Sequence, residues 1–507
     1  MNQRLLVIGI DSLDPAILEN NKNRLPTFRG LADETPRIEM SSVFPIDTVP
    51  AWSTIHTGLN PANHGLLYSY DVFDPKLRGL ISMDGSRTRG MTFWDYASGE
   101  GKRCAVIFPM LAFPPWPING LMISRSPMES RIDPLRTLRS VISNPLEALG
   151  TYEMDAEQID LWGGYPGLKS LREWSEVGGE VLASQARAGL RILNSERWDL
   201  FFIYFHILDV IQHRLWRFHD KSDPLYEDQP TLRSIVSSFY IQLDNILSRC
   251  LEGHDDLGVI VLSDHGHRSR PYMTVNVNEL LRRQGHITGS GQHGILKGSM
   301  GLTGVVEGIL DKLEIEHVAL RLVTANQLLA SAARKMLYPS SATGETNDTA
   351  RLSTFLGVKS YSCGGVSIQA SHVPPDGYDC IRMKIINELR LLVKRDSTTP
   401  VMKWVCTREQ LYPDGKFTKE ILPDIVFQLD DEYSVGWDIG GEVFGHAQDH
   451  KIASGGHSGK CVFLHRNLGR RFKRTNLLLP DVAPTILDAI GIDPSRYRFD
   501  GKSAFRD

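Results

Sequence analysis

Leu257-Gly258-Val259-Ile260-Val261-Leu262-Ser263-Asp264-His265-Gly266-His267 is an apolar run that stops abruptly in a cluster of carboxylate and imidazole. A run of that length without polar alternation reads as a strand buried on both faces, the habit of a parallel sheet covered by helices. The same reading extends outward to residues 5–10, ending at Asp11, to residues 104–108, and to residues 200–205, closed by His206-Ile207-Leu208-Asp209. A fifth run, residues 460–464, follows His457. Helical patterns lie between them at 25–32, 168–195, 232–250 and 480–490, with Asp481 set to cap the last and Gly491 to stop it. Strands alternating with helices predict an α/β fold, a mostly parallel central sheet with helices on both faces. Ligands of such sheets bind at the carboxyl ends of strands, where the polar residues fall here.

Two segments break the alternation. Residues 113–149 are rich in Pro and Ser, with Pro114-Pro115-Trp116-Pro117, and predict a lid-like excursion over about 110–165. Gly/Ser-rich loops at Gly289-Ser290-Gly291 and residues 340–349 accompany a strand–helix–strand pattern over 365–369, 381–393 and 401–406. The expected organisation is a catalytic core of 1–285 and 423–507 with an inserted α+β accessory subdomain at 286–422. The 507 residues leave room for such a division, or for a single large α/β domain with insertions.

With 41% hydrophobic and 23% charged residues, the composition excludes a disordered or fibrous protein. The 56 Lys+Arg and 60 Asp+Glu give a net charge of −4, so no polybasic field is available and nucleic-acid binding is not expected. The cysteines, Cys104, Cys250, Cys363, Cys380, Cys406 and Cys461, form no C-x-x-C pair and read as scattered reduced thiols. No stretch approaches the ~18 apolar residues of a membrane span, and the first apolar run is too short for a secretory signal. A soluble, cytoplasmic protein is the expectation.

The polar clusters are unremarkable one at a time. Asp11 could cap a helix, Asp209 and His213 at i, i+4 could be a surface ion pair, and Asp264-His265 could form a turn. His457 lies in Ser454-Gly455-Gly456-His457-Ser458-Gly459, where glycines permit close backbone approach. Together they bring three carboxylates and three imidazoles to converging strand ends, a mixture suited to zinc, manganese or iron. Six ligands are too many for one four-coordinate ion and right for two, and ions ~3.5–4 Å apart clamp both oxygens of a phosphoryl displacement. Thr48, in Ser42-Val43-Phe44-Pro45-Ile46-Asp47-Thr48-Val49-Pro50, offers a hydroxyl at the start of an apparent helix, either a metal-activated nucleophile or a simple helix cap.

In this order the residues resemble the alkaline phosphatase superfamily. Within it, the chain is similar to the type I phosphodiesterase/nucleotide pyrophosphatase branch and related bacterial phosphohydrolases and phosphomutases. The resemblance rests on Val7-Ile8-Gly9-Ile10-Asp11, Thr48-Val49-Pro50-Ala51-Trp52, Asp209-Val210-Ile211-Gln212-His213, Ser263-Asp264-His265-Gly266-His267, Ser454-Gly455-Gly456-His457 and Asp481-Val482-Ala483-Pro484-Thr485. It implies that Asp11, Thr48, Asp264 and His265 hold one divalent ion, and Asp209, His213 and His457 a second. Zinc is expected, with manganese or iron as alternatives. Thr48 would attack phosphorus in line, and water would release the product. The chain lacks the Cys-x-Pro-x-Arg of the sulfatase branch. Nucleotide pyrophosphatases of this superfamily place an asparagine about twenty-one residues after the nucleophile, where Ser69 stands here. Ser69 and His267 are the candidate substrate contacts; His206, three residues before Asp209, is a candidate contact or outer support of the ligands, and Arg125 with residues 113–117 could shape the leaving-group pocket or simply form surface loop. The expected activity is hydrolysis of a small phosphodiester or nucleotide-type substrate. A phosphomonoesterase or phosphomutase is the alternative, and a catalytically silent phospho-ligand-binding scaffold a second one.

Overall fold

A computed structural model of the chain describes residues 3–34, 38–67, 69–71, 85–112, 115–124, 170–287, 348–355, 361–395, 397–436, 438–451 and 453–507. The apolar runs become strands β1 (Leu5–Ile10), β2 (Cys104–Ile107), β3 (Gly120–Ile123), β4 (Leu200–Phe205) and β5 (Gly258–Leu262), each buried along its length. With the edge strand β6 (Phe463–Arg466) they lie in the order β6-β5-β1-β4-β2-β3. Every pairing is parallel except β6 on β5. In register, Ile10 lies beside Phe205 and Gly9 beside both Tyr204 and Leu262. The three central strands therefore end level, and whatever follows them in sequence meets in space.

Helices α1 (Thr48–Thr57), α2 (Leu171–Leu193), α3 (Ile207–His219), α4 (Ile235–Leu251) and α5 (Val482–Ala489) cover the sheet. Because side chains alternate along a strand, Leu6, Ile8 and Ile10 pack against α2, α3 and α4 on one face. Leu5 and Val7 pack against Trp52 and Ile55 of α1 and Ile486 of α5 on the other. The start of α2 is a capping box, Ser170 with Glu173.

Two expectations of detail are corrected. The run at 460–464 is not one parallel strand: Lys460–Cys461 pairs antiparallel with Glu39–Ser41, and β6 then runs antiparallel along the sheet edge. The chain leaves the His457 loop at the carboxyl end of the sheet, so the only direction left is back down. Asp481 does not cap α5 with its side chain. Its carboxylate accepts instead from the Leu478 and Lys502 amides and the Arg474 guanidinium.

A second, antiparallel sheet orders Met402–Thr407, Ile425–Leu429, Cys363–Ile368, Ala350–Phe355 and Ser69–Asp71. Helix Tyr378–Arg390 packs on it through Ile385, Ile386 and Leu389. Two of its strands, Ser69–Asp71 and Ile425–Leu429, come from outside 286–422. Arg125, most of the lid-like stretch and the Gly289-Ser290-Gly291 loop lie outside the described residues. Among the described residues, no helix is long and apolar enough to cross a membrane.

Candidate metal centre and nucleophile

Level strand ends assemble the cluster. Asp11 follows β1, Asp264 and His265 follow β5, and Asp209 and His213 sit one turn apart on α3, which begins two residues after β4. His457 does not come from a strand end of the main sheet. It arrives on a two-stranded ribbon, Gly455–Ser458 against Gly266–Ser269, directly opposite His267. A Cβ at Gly455 would stand 2.2 Å from His267 Nε2 and 2.4 Å from the Gln212 carbonyl, so only glycine lets the ribbon close onto α3. Thr48 is the first residue of α1, and Asp47 caps that helix by accepting the Val49 N–H at 3.1 Å.

The side chains gather in two groups. His265 Nε2 lies 3.2 Å from Thr48 Oγ1, 3.1 Å from Asp264 Oδ2 and 3.6 Å from Asp11 Oδ1. Asp209 Oδ1 lies 3.3 Å from His213 Nε2 and 3.5 Å from His457 Nε2, and those two nitrogens are 2.9 Å apart. The His265 and His457 rings stack with centroids 3.9 Å apart and join the groups.

Proton accounting shows what the cluster is built for. His213 Nδ1 faces the Gly455 carbonyl at 2.7 Å, and His457 Nδ1 faces the Ile46 carbonyl at 3.1 Å. A carbonyl only accepts, so each Nδ1 carries a hydrogen, and in the neutral ring each Nε2 presents a lone pair. Two such lone pairs and a carboxylate oxygen aimed at one another repel unless a proton or a metal cation lies between them, and a metal cation satisfies all three at once. Asp11 Oδ1, Asp209 Oδ1 and Asp264 Oδ2 are also buried without a hydrogen-bond partner, a costly condition for carboxylate oxygens. Oxygen and imidazole donors in this proportion fit a divalent cation of intermediate hardness.

The electrostatics agree. Burial, then the charges of Asp264 and Asp209, push the Asp11 carboxyl well above the usual carboxylate range. Burial also pushes Asp264 up, with Asp209 adding to it against the Ser12 N–H. Burial would raise Asp209 too, but His213 and His457 outweigh it and hold that carboxyl well below. The imidazoles of His213, His265 and His267 are pushed down, chiefly by burial. His457 is raised, because Asp209 outweighs the effect of burial.

Some supporting residues carry no local signal in the sequence. Tyr204 donates its hydroxyl to Asp11 Oδ2, yet it reads only as one more aromatic in the β4 run. Ser12 sits at φ 60°, in the left-handed region. It is held there by its N–H on Asp264 Oδ1 at 3.1 Å, by Gln212 Nε2 on its carbonyl at 2.9 Å and by His267 Nδ1 against its Oγ at 2.7 Å. His267 is thus buried behind Asp209, whose Oδ1 is 3.8 Å away. His206 is the residue before α3, with Nδ1 3.4 Å from Gln185 Nε2. Ser69 opens the edge strand of the second sheet, paired with Phe355; its side chain lies outside the described residues.

The sheet, helix and ribbon that gather these carboxylates and imidazoles belong to a hydrolase acting on phosphoester or phosphonate bonds, of the metal-dependent alkaline phosphatase superfamily. The model of the type I phosphodiesterase / nucleotide pyrophosphatase family matches residues 5–455, and the chain belongs to that family. In fold it is similar to the phosphonoacetate hydrolase of Sinorhizobium meliloti 1021 in complex with phosphonoformate, with TM-score 0.55, 15% identity and 97% and 96% of the two chains covered. The complex of that enzyme with phosphonoacetate matches at TM-score 0.55 and 16% identity, over the same 97% and 96%. No curated protein matches the chain in sequence.

Proposed function

We propose that the chain is a phosphodiesterase of nucleotide pyrophosphatase type, with Thr48 as nucleophile and two divalent ions, zinc by expectation. Asp11, Thr48, Asp264 and His265 would hold one ion, and Asp209, His213 and His457 the other. The ions supply Lewis-acid charge that lowers the pKa of a hydroxyl and offsets the phosphoryl oxygens. The observation that carries the reading is the position of Thr48 Oγ1, 3.2 Å from His265 Nε2 at the first turn of a helix. There the helix dipole favours the alkoxide that attacks. Thr48 Oγ forms a bond to phosphorus in line as the bond to the leaving oxygen breaks. The threonine gives up its proton and the leaving oxygen takes one; water then hydrolyses the threonine-linked phosphodiester, releasing the monoester and restoring the hydroxyl. Asp47 fixes the helix start, and Tyr204 and Ser12 hold the Asp11 and Asp264 carboxylates in place. Ser69 belongs to this reading as a residue near the phosphoryl group, and His267 as a support that packs behind Asp209 and fixes Ser12. A small phosphorylated substrate, an accessory unit at 286–422 whose sheet takes in strands Ser69–Asp71 and Ile425–Leu429 from the core, and a cytoplasmic location complete it.

The test is turnover of bis(4-nitrophenyl) phosphate by zinc-loaded protein, beside a panel of monoesters, nucleotide sugars and phosphonates. Thr48→Ala should lose ~10⁴-fold or more, the order found when a nucleophile acting with its activators is removed. Retained turnover would overturn the nucleophile. A monoester product marks a diesterase and inorganic phosphate a monoesterase. Failure to incorporate isotope from labelled water marks a mutase.

A further inference from the structure

Tyr361, two residues before the strand Cys363–Ile368, brings the second sheet against the metal centre. Its ring lies 5.5 Å from the His457 ring, centroid to centroid, and the Arg270 guanidinium is 5.8 Å from its centroid. Its carbonyl accepts the Val435 N–H at 2.8 Å, which fixes the backbone. The residue is only partly buried, and its hydroxyl hydrogen-bonds to no described residue. Asp47, which caps the nucleophile helix, and Asp209 of the metal centre both act electrostatically on the phenol. An apolar body buried against the site with a polar tip left open is how a tyrosine presents a donor to a ligand.

The position is braced on both sides. The Tyr412 hydroxyl donates to the Phe44 carbonyl at 2.7 Å, and Phe44 packs edge-on against Trp404 at 4.9 Å. The second sheet thereby grips the loop that leads to Thr48. Arg268 donates to the His457 carbonyl at 3.2 Å and to Ser362 Oγ at 3.0 Å, tying the ribbon to the residue next to Tyr361.

We infer that Tyr361 is a substrate-contacting residue whose hydroxyl donates a hydrogen bond to an oxygen of the phosphoryl group lying over Thr48. The second sheet is then one wall of the active site. This rests on the phosphohydrolase reading above.

Calorimetric titration of inorganic phosphate into zinc-loaded wild type and Tyr361→Phe tests the contact without requiring turnover. The variant should bind phosphate about tenfold or more weakly, the loss expected for one hydrogen bond to a charged oxygen. Its zinc content and melting temperature should match wild type, and its kcat/KM on the diester should fall by a similar factor. Equal phosphate affinity would overturn the contact, as would loss of zinc or a lowered melting temperature, which would mark a structural role. If the wild type binds phosphate yet cleaves no phosphoester, the hydrolase reading fails while the affinity ratio still judges Tyr361. A wild type that binds no phosphate overturns the Tyr361 assignment outright.

Discussion

Loading the cluster with zinc should raise the melting temperature by about 5 °C near neutral pH, and by less as the pH falls. The metal-free fold carries three buried carboxylate oxygens without donors and two imidazole Nε2 atoms crowded 2.9 Å apart. A cation removes both burdens in the folded state alone, so its binding free energy adds to stability. One ion at a hundred times its Kd contributes ~2.7 kcal/mol, and two independent ions about 5.4 kcal/mol. An unfolding entropy of ~2.1 cal/mol/K per residue over 507 residues is about 1.1 kcal/mol/K, which converts that gain to about 5 °C. The pH dependence has a definite sign. Asp11 and Asp264 have folded pKa values raised above the ordinary ~4. Their contribution to the metal-free fold is present below that value and is lost as the pH rises through the folded values. Zinc needs both groups ionised, so the gap between loaded and stripped protein widens with rising pH. Scanning calorimetry of chelator-stripped protein, with and without zinc at pH 5.5 and 7.5, measures it. His457→Ala should keep roughly half the shift, because only one ligand group is broken. No shift at saturating zinc, or a shift that grows toward acid, would refute the reasoning.

Tyr204→Phe removes the hydroxyl that orients Asp11 and should weaken zinc ~10–100-fold in competition with a chelating dye, as loss of a partner to a ligand does; unchanged affinity would contradict that role. Asp223 accepts from buried His450 at 2.9 and 3.0 Å and from Ser269, pinning the loop ahead of the His457 ribbon, so Asp223→Asn should cost ~1.5–3 kcal/mol at pH 7. Burial would raise the Asp223 carboxyl, but His450 and Ser269 hold it below its ordinary value. Its stabilisation is therefore present above pH ~4 and lost below, and the urea midpoints of variant and wild type should converge in acid. Divergence would count against it.

The parallel core was legible because each central run ends in metal-ligand residue types, and because an i, i+4 pair on a helix start needs only local periodicity to read. The His457 ribbon was half legible: the glycines around it announce a close approach, but not that Gly266–Ser269 is the partner. The second sheet hid its edges, since Ser69–Asp71 pairs with a strand some 280 residues away and no local pattern encodes so distant a partner. The direction of β6 depends on where the preceding loop leaves the chain, which apolar periodicity does not report. Tyr204 and Ser12 were hidden for a different reason: a phenol in a strand, or a backbone N–H just past one, looks the same whether or not a carboxylate waits across the sheet.

Anomalous diffraction at the zinc edge, from crystals of the full chain grown with zinc, tests the central claim most directly. The account predicts two peaks per chain, one among Asp11, Thr48, Asp264 and His265 and the other among Asp209, His213 and His457. Zinc bound elsewhere while these seven side chains hold none would contradict it.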